Sequence, residues 1–195
     1  DKTEFLREWW NSGDLVTLIT RPRRFGKTLN MSMTEKFFSV EYAGRTDLFE
    51  GMKIWEDENF RSLQGTYPVL SLTFAGIKDK NYHSARESIC RILEELYNKY
   101  DFLTQGTLLN EKEKKYYKEV TAKMDDSTAA VSLRNLSDYL HRYYGKKVLI
   151  LLDEYDTPMQ EAYVNGYWED LVSFTRSLFN AAFKTNLYLE RGLMT

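Results

Sequence analysis

Two periods of apolar and polar positions alternate along this chain. Val16-Thr17-Leu18-Ile19-Thr20 reads as a short strand, and Tyr67-Pro68-Val69-Leu70-Ser71-Leu72-Thr73-Phe74 as a second. Lys146-Lys147-Val148-Leu149-Ile150-Leu151-Leu152-Asp153-Glu154 runs without a polar break and then ends in two carboxylates. That is the pattern of a strand buried on both faces of a parallel sheet. Leu187 to Thr195 predicts one more strand. Between these runs the spacing becomes helical. Leu29, Met33 and Phe37 recur at helical spacing, with Phe38 and Val40 adding to an apolar face, and the Met and Phe residues there are read as core. Ile89, Ile92, Leu93, Leu96, Tyr97 and Tyr100 trace a longer stripe, headed by Ser84-Ala85-Arg86-Glu87 in capping-box register. Leu133, Leu136 and Leu140 form a third stripe ending at Gly145, and a further helix is expected from about Tyr167 to Lys184. Thr157-Pro158-Met159-Gln160 predicts a helix start, with Thr157 as cap and Pro158 at the first position. Strands alternating with helices imply an α/β fold on a parallel sheet with right-handed crossovers.

The junction between the first strand and the first stripe carries the clearest chemistry. Arg21-Pro22-Arg23-Arg24-Phe25-Gly26-Lys27-Thr28 reads as a nucleotide-phosphate loop. In such a loop backbone N–H groups and a helix start cradle phosphates, the Lys27 ammonium reaches the β- and γ-phosphates, and the Thr28 hydroxyl ligates Mg²⁺. The usual first glycine is replaced by Arg21, so the turn forms without its first residue of free φ. Alone, Gly26-Lys27-Thr28 also fits an ordinary turn-to-helix junction, and Asp153-Glu154 alone also fits a solvated strand end. Together they form the two halves of a phosphate-transfer site. Asp153 would hold Mg²⁺, directly or through water, and Glu154 would polarise the water that attacks the γ-phosphate.

Composition narrows the field. A chain of 195 residues with 43% hydrophobic and 15% aromatic residues can bury one real core, and a single domain over 1–195 is expected. The net charge of −2 argues against a surface given over to nucleic-acid backbone, and Arg21, Arg23, Arg24 and Lys27 are as well explained by the nucleotide itself. Cys90 has no partner for an internal disulfide and is read as a small packing residue; His83 and His141 lie far apart, without metal-ligand spacing. No apolar run approaches the roughly 20 residues of a membrane span, and no secretory leader is apparent, so a cytoplasmic protein without membrane attachment is expected. The charged stretch from about 104 to 131, with Glu111-Lys112-Glu113-Lys114-Lys115, predicts an inserted helix and mobile loop with a solvated face.

Three segments together resemble the bacterial AAA-ATPase-like family: Asp1-Lys2-Thr3-Glu4-Phe5, the loop from Arg21 to Thr28, and Leu152-Asp153-Glu154-Tyr155-Asp156-Thr157-Pro158. The resemblance spans nearly the whole chain, and the family accepts arginine at the first loop position. It implies a P-loop NTPase of three α/β/α layers, of the type in which an additional strand lies between the phosphate-loop strand and the strand ending in Asp153. Leu189 to Thr195 would be that strand, and Thr195 would stand where such ATPases place a sensor of the attacking water or γ-phosphate. The implied cofactors are ATP and Mg²⁺. Arg23, Arg24, Phe25, Gly26, Lys27, Thr28 and Leu29 would hold the nucleotide, Thr28 and Asp153 the metal, and Glu154, Lys27 and Thr195 would serve catalysis. Residues of the Asp1 to Phe5 segment would line the base pocket, although Phe5, Trp9 and Trp10 also suit a core. Arg176 is either an arginine finger toward a neighbouring subunit of a homo-oligomer or an ordinary surface arginine. Family members usually continue into a helical lid and often a restriction-nuclease-like domain, so the chain is expected to be truncated before the lid and to meet nucleic acid only through such a further domain. Three functions fit: a Mg²⁺-dependent ATPase, a nucleotide-gated switch or scaffold with little turnover, and the regulatory half of a nucleic-acid-processing protein.

Overall fold

The computed structural model of the protein describes residues 1–20 and 26–195. Four strands, β1 (Val16–Leu18), β2 (Val69–Thr73), β3 (Val148–Asp153) and β4 (Leu189–Met194), pair in the order β1-β4-β3-β2, every pair parallel. The last strand in sequence therefore lies between the first and third, the additional-strand arrangement that the resemblance implies. Among the described residues eight α-helices accompany the sheet: α1 (Glu4–Asn11), α2 (Lys27–Phe38), α3 (Glu58–Arg61), α4 (Tyr82–Lys99), α5 (Glu111–Glu119), α6 (Asp126–Tyr144), α7 (Thr157–Asn165) and α8 (Trp168–Phe179), the last continuing into a π-helical turn over Asn180–Lys184.

The unbroken apolar run of β3 is explained by its position. All six of its residues are buried, with Val148, Ile150 and Leu152 facing the core under α4, α6 and α8, and Leu149 and Leu151 facing a second core with Leu6, Trp9, Phe37, Phe38 and Ile54. The period of two thus feeds both outer layers of a three-layer α/β/α sandwich. In β4 a register shift opposite Val148 and Leu149 flips the alternation. Leu189 faces the first core, whereas Arg191 lies over Trp10, its guanidinium 4.9 Å from the ring. Gly192 is needed one residue on, because a Cβ there would stand 2.8 Å from the Phe183 ring.

Several local expectations are corrected. α4 begins at Tyr82 with Asn81 as cap, its side chain accepting from the Ser84 N–H; Ser84 is inside the helix, and Glu87 pairs with Arg91. An Asn cap precedes a Ser at the same job here because Asn81 has the extended backbone that a cap requires. The buried stripe of α2 is Met31, Thr34, Phe37 and Phe38, and Leu29 is turned outward, 52% exposed. The first helix, α1, and the short α3 carried no strong sequence signal. Phe5, Leu6, Trp9 and Trp10 all pack into the second core.

Within 104–131, α5 starts with a complete capping box, Asn110 and Glu113 each receiving the other's backbone N–H. Tyr116 and Tyr117 of α5 turn inward, their hydroxyls donating to the Thr128 and Tyr97 carbonyls at 2.9 and 2.7 Å. Among the described residues, no helix is long and apolar enough to cross a membrane.

Candidate functional site

The carboxyl edge of the sheet is where the functional side chains converge, as expected where open α/β sheets leave strand ends and helix starts facing a common crevice. Gly26 caps α2 in a left-handed conformation, φ 77°, which a side chain would strain. It offers no side-chain acceptor to the helix, and the first turn of α2 holds no acidic residue. The opening N–H groups and the positive end of the helix dipole are left to an anion. Lys27 opens the helix, half-buried, and Thr28 follows, exposed. The Lys2 ammonium lies 3.3 Å from the point that a Cβ on Gly26 would occupy. Asp1 and Thr3 hold Lys2 there: Asp1 accepts from the Thr3 and Lys53 N–H groups, both at 2.8 Å, and the Thr3 hydroxyl accepts from the Ile54 N–H at 3.2 Å.

Two hollows flank the start of α2. One, of about 320 Å³, is lined by Thr28, Ser32 and Glu35 from the helix, by Ser71 and Thr73 from β2, and by Asp153 and Glu154. The other, of about 290 Å³ and mainly apolar, is lined by Asp1, Lys2, Thr3, Leu29, Met33 and Phe49 among others. Exposed Leu29 therefore has a place: it faces this second hollow while its neighbour Thr28 faces the first.

Asp153 closes β3 opposite Thr73 of β2 and is 7% exposed. Its Oδ1 accepts the Thr195 hydroxyl, and the Thr195 oxygen in turn accepts the Glu154 N–H at 3.3 Å. The Thr195 N–H donates to the Leu152 carbonyl, and the Tyr155 N–H to the Thr195 carbonyl, both at 3.0 Å. The strand ends are thereby sewn together at the point of turning. Glu154 is the one non-glycine residue at positive φ among those described, at 54°. Such a backbone costs roughly 1–3 kcal/mol and persists where its surroundings over-determine it. Here the turn brings Thr157 beneath Glu154, its hydroxyl donating to Glu154 Oε2 at 2.9 Å and its N–H to the Glu154 carbonyl at 3.2 Å. Thr157 is therefore not the cap of α7. Asp156 holds that position, and Pro158 lies in the first turn as expected.

Of the residues singled out from sequence, Thr28, Asp153 and Glu154 line one hollow, Thr195 binds Asp153 and Glu154 from behind it, Gly26 and Lys27 stand at its helix entrance, and Leu29 faces the neighbouring hollow. Arg23, Arg24 and Phe25 lie outside the described residues. Arg176 is exposed in the last turn of α8. Among the described residues no group of three His, Cys, Asp or Glu side chains could hold a metal by itself. A Mg²⁺ ion bound through one carboxylate, one hydroxyl and substrate phosphates needs no such group, and the Thr28 and Asp153 pair fits that donor set. Cys90 is fully buried, and burial pushes its thiol up to about 11, so it is inert packing. Sequence reasoning missed Thr73 and Thr157. Position at a strand end next to Asp153 could have found the first; the second was absorbed into a capping pattern.

The whole chain, residues 1–195, matches the family of predicted AAA-ATPases, and the protein belongs to that family. It is thus a nucleotide-binding, ATPase-like domain on a P-loop NTPase-like α/β/α fold. No curated protein and no solved structure matches it.

Proposed function

We propose that this chain binds ATP with Mg²⁺ at the carboxyl edge of its sheet and hydrolyses the β–γ phosphoanhydride bond. One observation carries the reading: a glycine-capped helix start bearing Lys27 and Thr28 opens onto the same hollow as Asp153 and Glu154. The phosphates lie against the N–H groups of Gly26 to Leu29, with Lys27 on the β- and γ-phosphates and Arg23, Arg24 and Phe25 completing the loop. The base takes the apolar hollow beside Leu29 and Asp1 to Thr3. Thr28 and Asp153 would hold Mg²⁺, which would supply positive charge to the phosphate oxygens. Glu154 accepts a proton from water as its oxygen bonds to the γ-phosphorus. The bond from that phosphorus to the bridging oxygen breaks, and ADP leaves with the electron pair. Thr195, tied to both carboxylates' residues, keeps their spacing and reports on the γ-phosphate position.

Calorimetric titration with MgATP tests the reading, run alongside Lys27→Ala. Binding by the parent and a loss of at least tenfold in the variant are expected, since a charge-assisted phosphate contact is worth about 1.5–3 kcal/mol. Equal binding by both proteins would contradict the assignment of the phosphate loop.

A further inference from the structure

The hydrogen bond from Thr157 to Glu154 has no counterpart in the needs of α7. Pro158 in the first turn carries no N–H, so the helix start has one donor fewer to satisfy, and Asp156 occupies the cap position. The Thr157 hydroxyl is spent on Glu154 Oε2 instead, in a side chain only 6% exposed. Glu154 itself is half-buried and lines the hollow beside Thr28 and Asp153. Among the described residues Oε1 receives no hydrogen bond, so the two carboxylate oxygens are unequal: one is anchored inward and the other remains for a water molecule.

A carboxylate on a turning backbone has two side-chain torsions and a carboxyl rotation to fix before it can meet a water at in-line distance from phosphorus. Proton acceptors that act on a positioned nucleophile are commonly oriented by a third group. Three observations make Thr157 that group. Its own backbone N–H is fixed to the Glu154 carbonyl at 3.2 Å, its burial removes competing solvent, and the left-handed turn at Glu154 is what brings the two side chains together. We infer that Thr157 is a positioning residue for Glu154, holding one carboxylate oxygen so that the other presents to the attacking water. This rests on the assignment of Glu154 as proton acceptor made above.

The test is steady-state MgATP hydrolysis by the full-length protein carrying Thr157→Val, Thr157→Ser, Glu154→Gln, or Glu154→Gln with Thr157→Val. Valine keeps the shape and removes the hydroxyl. The expected result is a kcat lowered about tenfold in Thr157→Val with KM unchanged, since orientation of a reacting group is worth this much or more. Affinity for a non-hydrolysable ATP analogue should stay within about twofold of the parent, and Thr157→Ser should recover most of the turnover. In the Glu154→Gln background the valine substitution should cause no further loss, because residues acting as a unit are not additive. Parental turnover by Thr157→Val with Glu154→Gln inactive would overturn this inference alone. So would an equal loss in both backgrounds, or a loss confined to KM. Parental turnover by Glu154→Gln would overturn the inference together with the assignment on which it rests. Should Thr157→Val fail to fold, Thr157→Ala carries the same expectations, and its melting temperature separates loss of fold from loss of orientation.

Discussion

The carboxyl edge of the sheet and the tyrosine-rich layer under α4, α5 and α6 both gather polar side chains, and they use them in opposite ways. In the layer four tyrosine hydroxyls end on backbone carbonyls, Tyr97 on Ser132, Tyr100 on Val69, Tyr116 on Thr128 and Tyr117 on Tyr97, at 2.6 to 3.0 Å, with Tyr100 also 3.3 Å from Glu41 Oε1. The rings touch in a chain of tilted and edge contacts, Tyr97 and Tyr117 with centroids 4.5 Å apart at 53°, and their hydroxyls hold helices together. At the edge, by contrast, hydroxyls end on carboxylates, Thr157 on Glu154 and Thr195 on Asp153, and the helix start at Gly26 has no side-chain cap. The same group, a threonine or tyrosine hydroxyl, is structural where it completes the backbone's needs and functional where it leaves other groups incomplete. Incomplete satisfaction marks the site better than polarity does.

Alkaline pH should break the symmetry most strongly. Burial raises the phenols of Tyr97, Tyr100, Tyr117 and Tyr139 above their ordinary 10.0. A folded-state pKa above the unfolded one means that the stabilisation is fully present below pH 10 and is lost as pH climbs toward the folded values, because only the unfolded chain then ionises. Each phenol contributes up to about 1.4 kcal/mol per pH unit in that window. Urea midpoints measured from pH 8 to 11.5 should therefore fall steeply above 10. A midpoint flat to pH 11 would mean that the layer is more open to water than the structure shows.

Much of this division was legible in the chain, and its limits have physical causes. The β3 run, the Gly26-Lys27-Thr28 junction and the Gly145 stop are local signals, each set by backbone conformation or by burial on both faces of one element, so they survive without tertiary context. The place of β4 between β1 and β3 followed from resemblance, since four parallel strands can be ordered in several ways that periodicity does not distinguish. Helical spacing put Leu29 on the same stripe as Met33 and Phe37, because periodicity cannot tell an apolar residue facing the sheet from one facing a hollow; only the resemblance set it beside the nucleotide. Thr157 was hidden by a stronger pattern: Thr-Pro-x-Gln fits a helix start so well that the hydroxyl's real acceptor, three residues back on a left-handed turn, could not be suspected from composition. The Tyr116-Tyr117 pair was likewise masked by the charged residues around it.

A smaller effect sharpens the contrast. Tyr117→Phe removes one hydroxyl that donates to the Tyr97 carbonyl at 2.7 Å and leaves the packing in place. The expected loss is about 1 kcal/mol of stability, measured by denaturant titration, with MgATP affinity unchanged. A change in affinity without a change in stability would tie the layer to the site and dissolve the distinction between them.

Amide hydrogen exchange with and without saturating MgATP tests the central claim most directly. The first N–H groups of α2 have no helical partner and, in Gly26, no side-chain cap, so phosphate binding there should slow exchange at Gly26 to Leu29, with a second protected stretch over Asp153 to Thr157. The α4 and α6 amides under the tyrosine layer should be unchanged. Protection at the layer, or none at the start of α2 while MgATP is bound, would contradict the assignment of this edge as the nucleotide site.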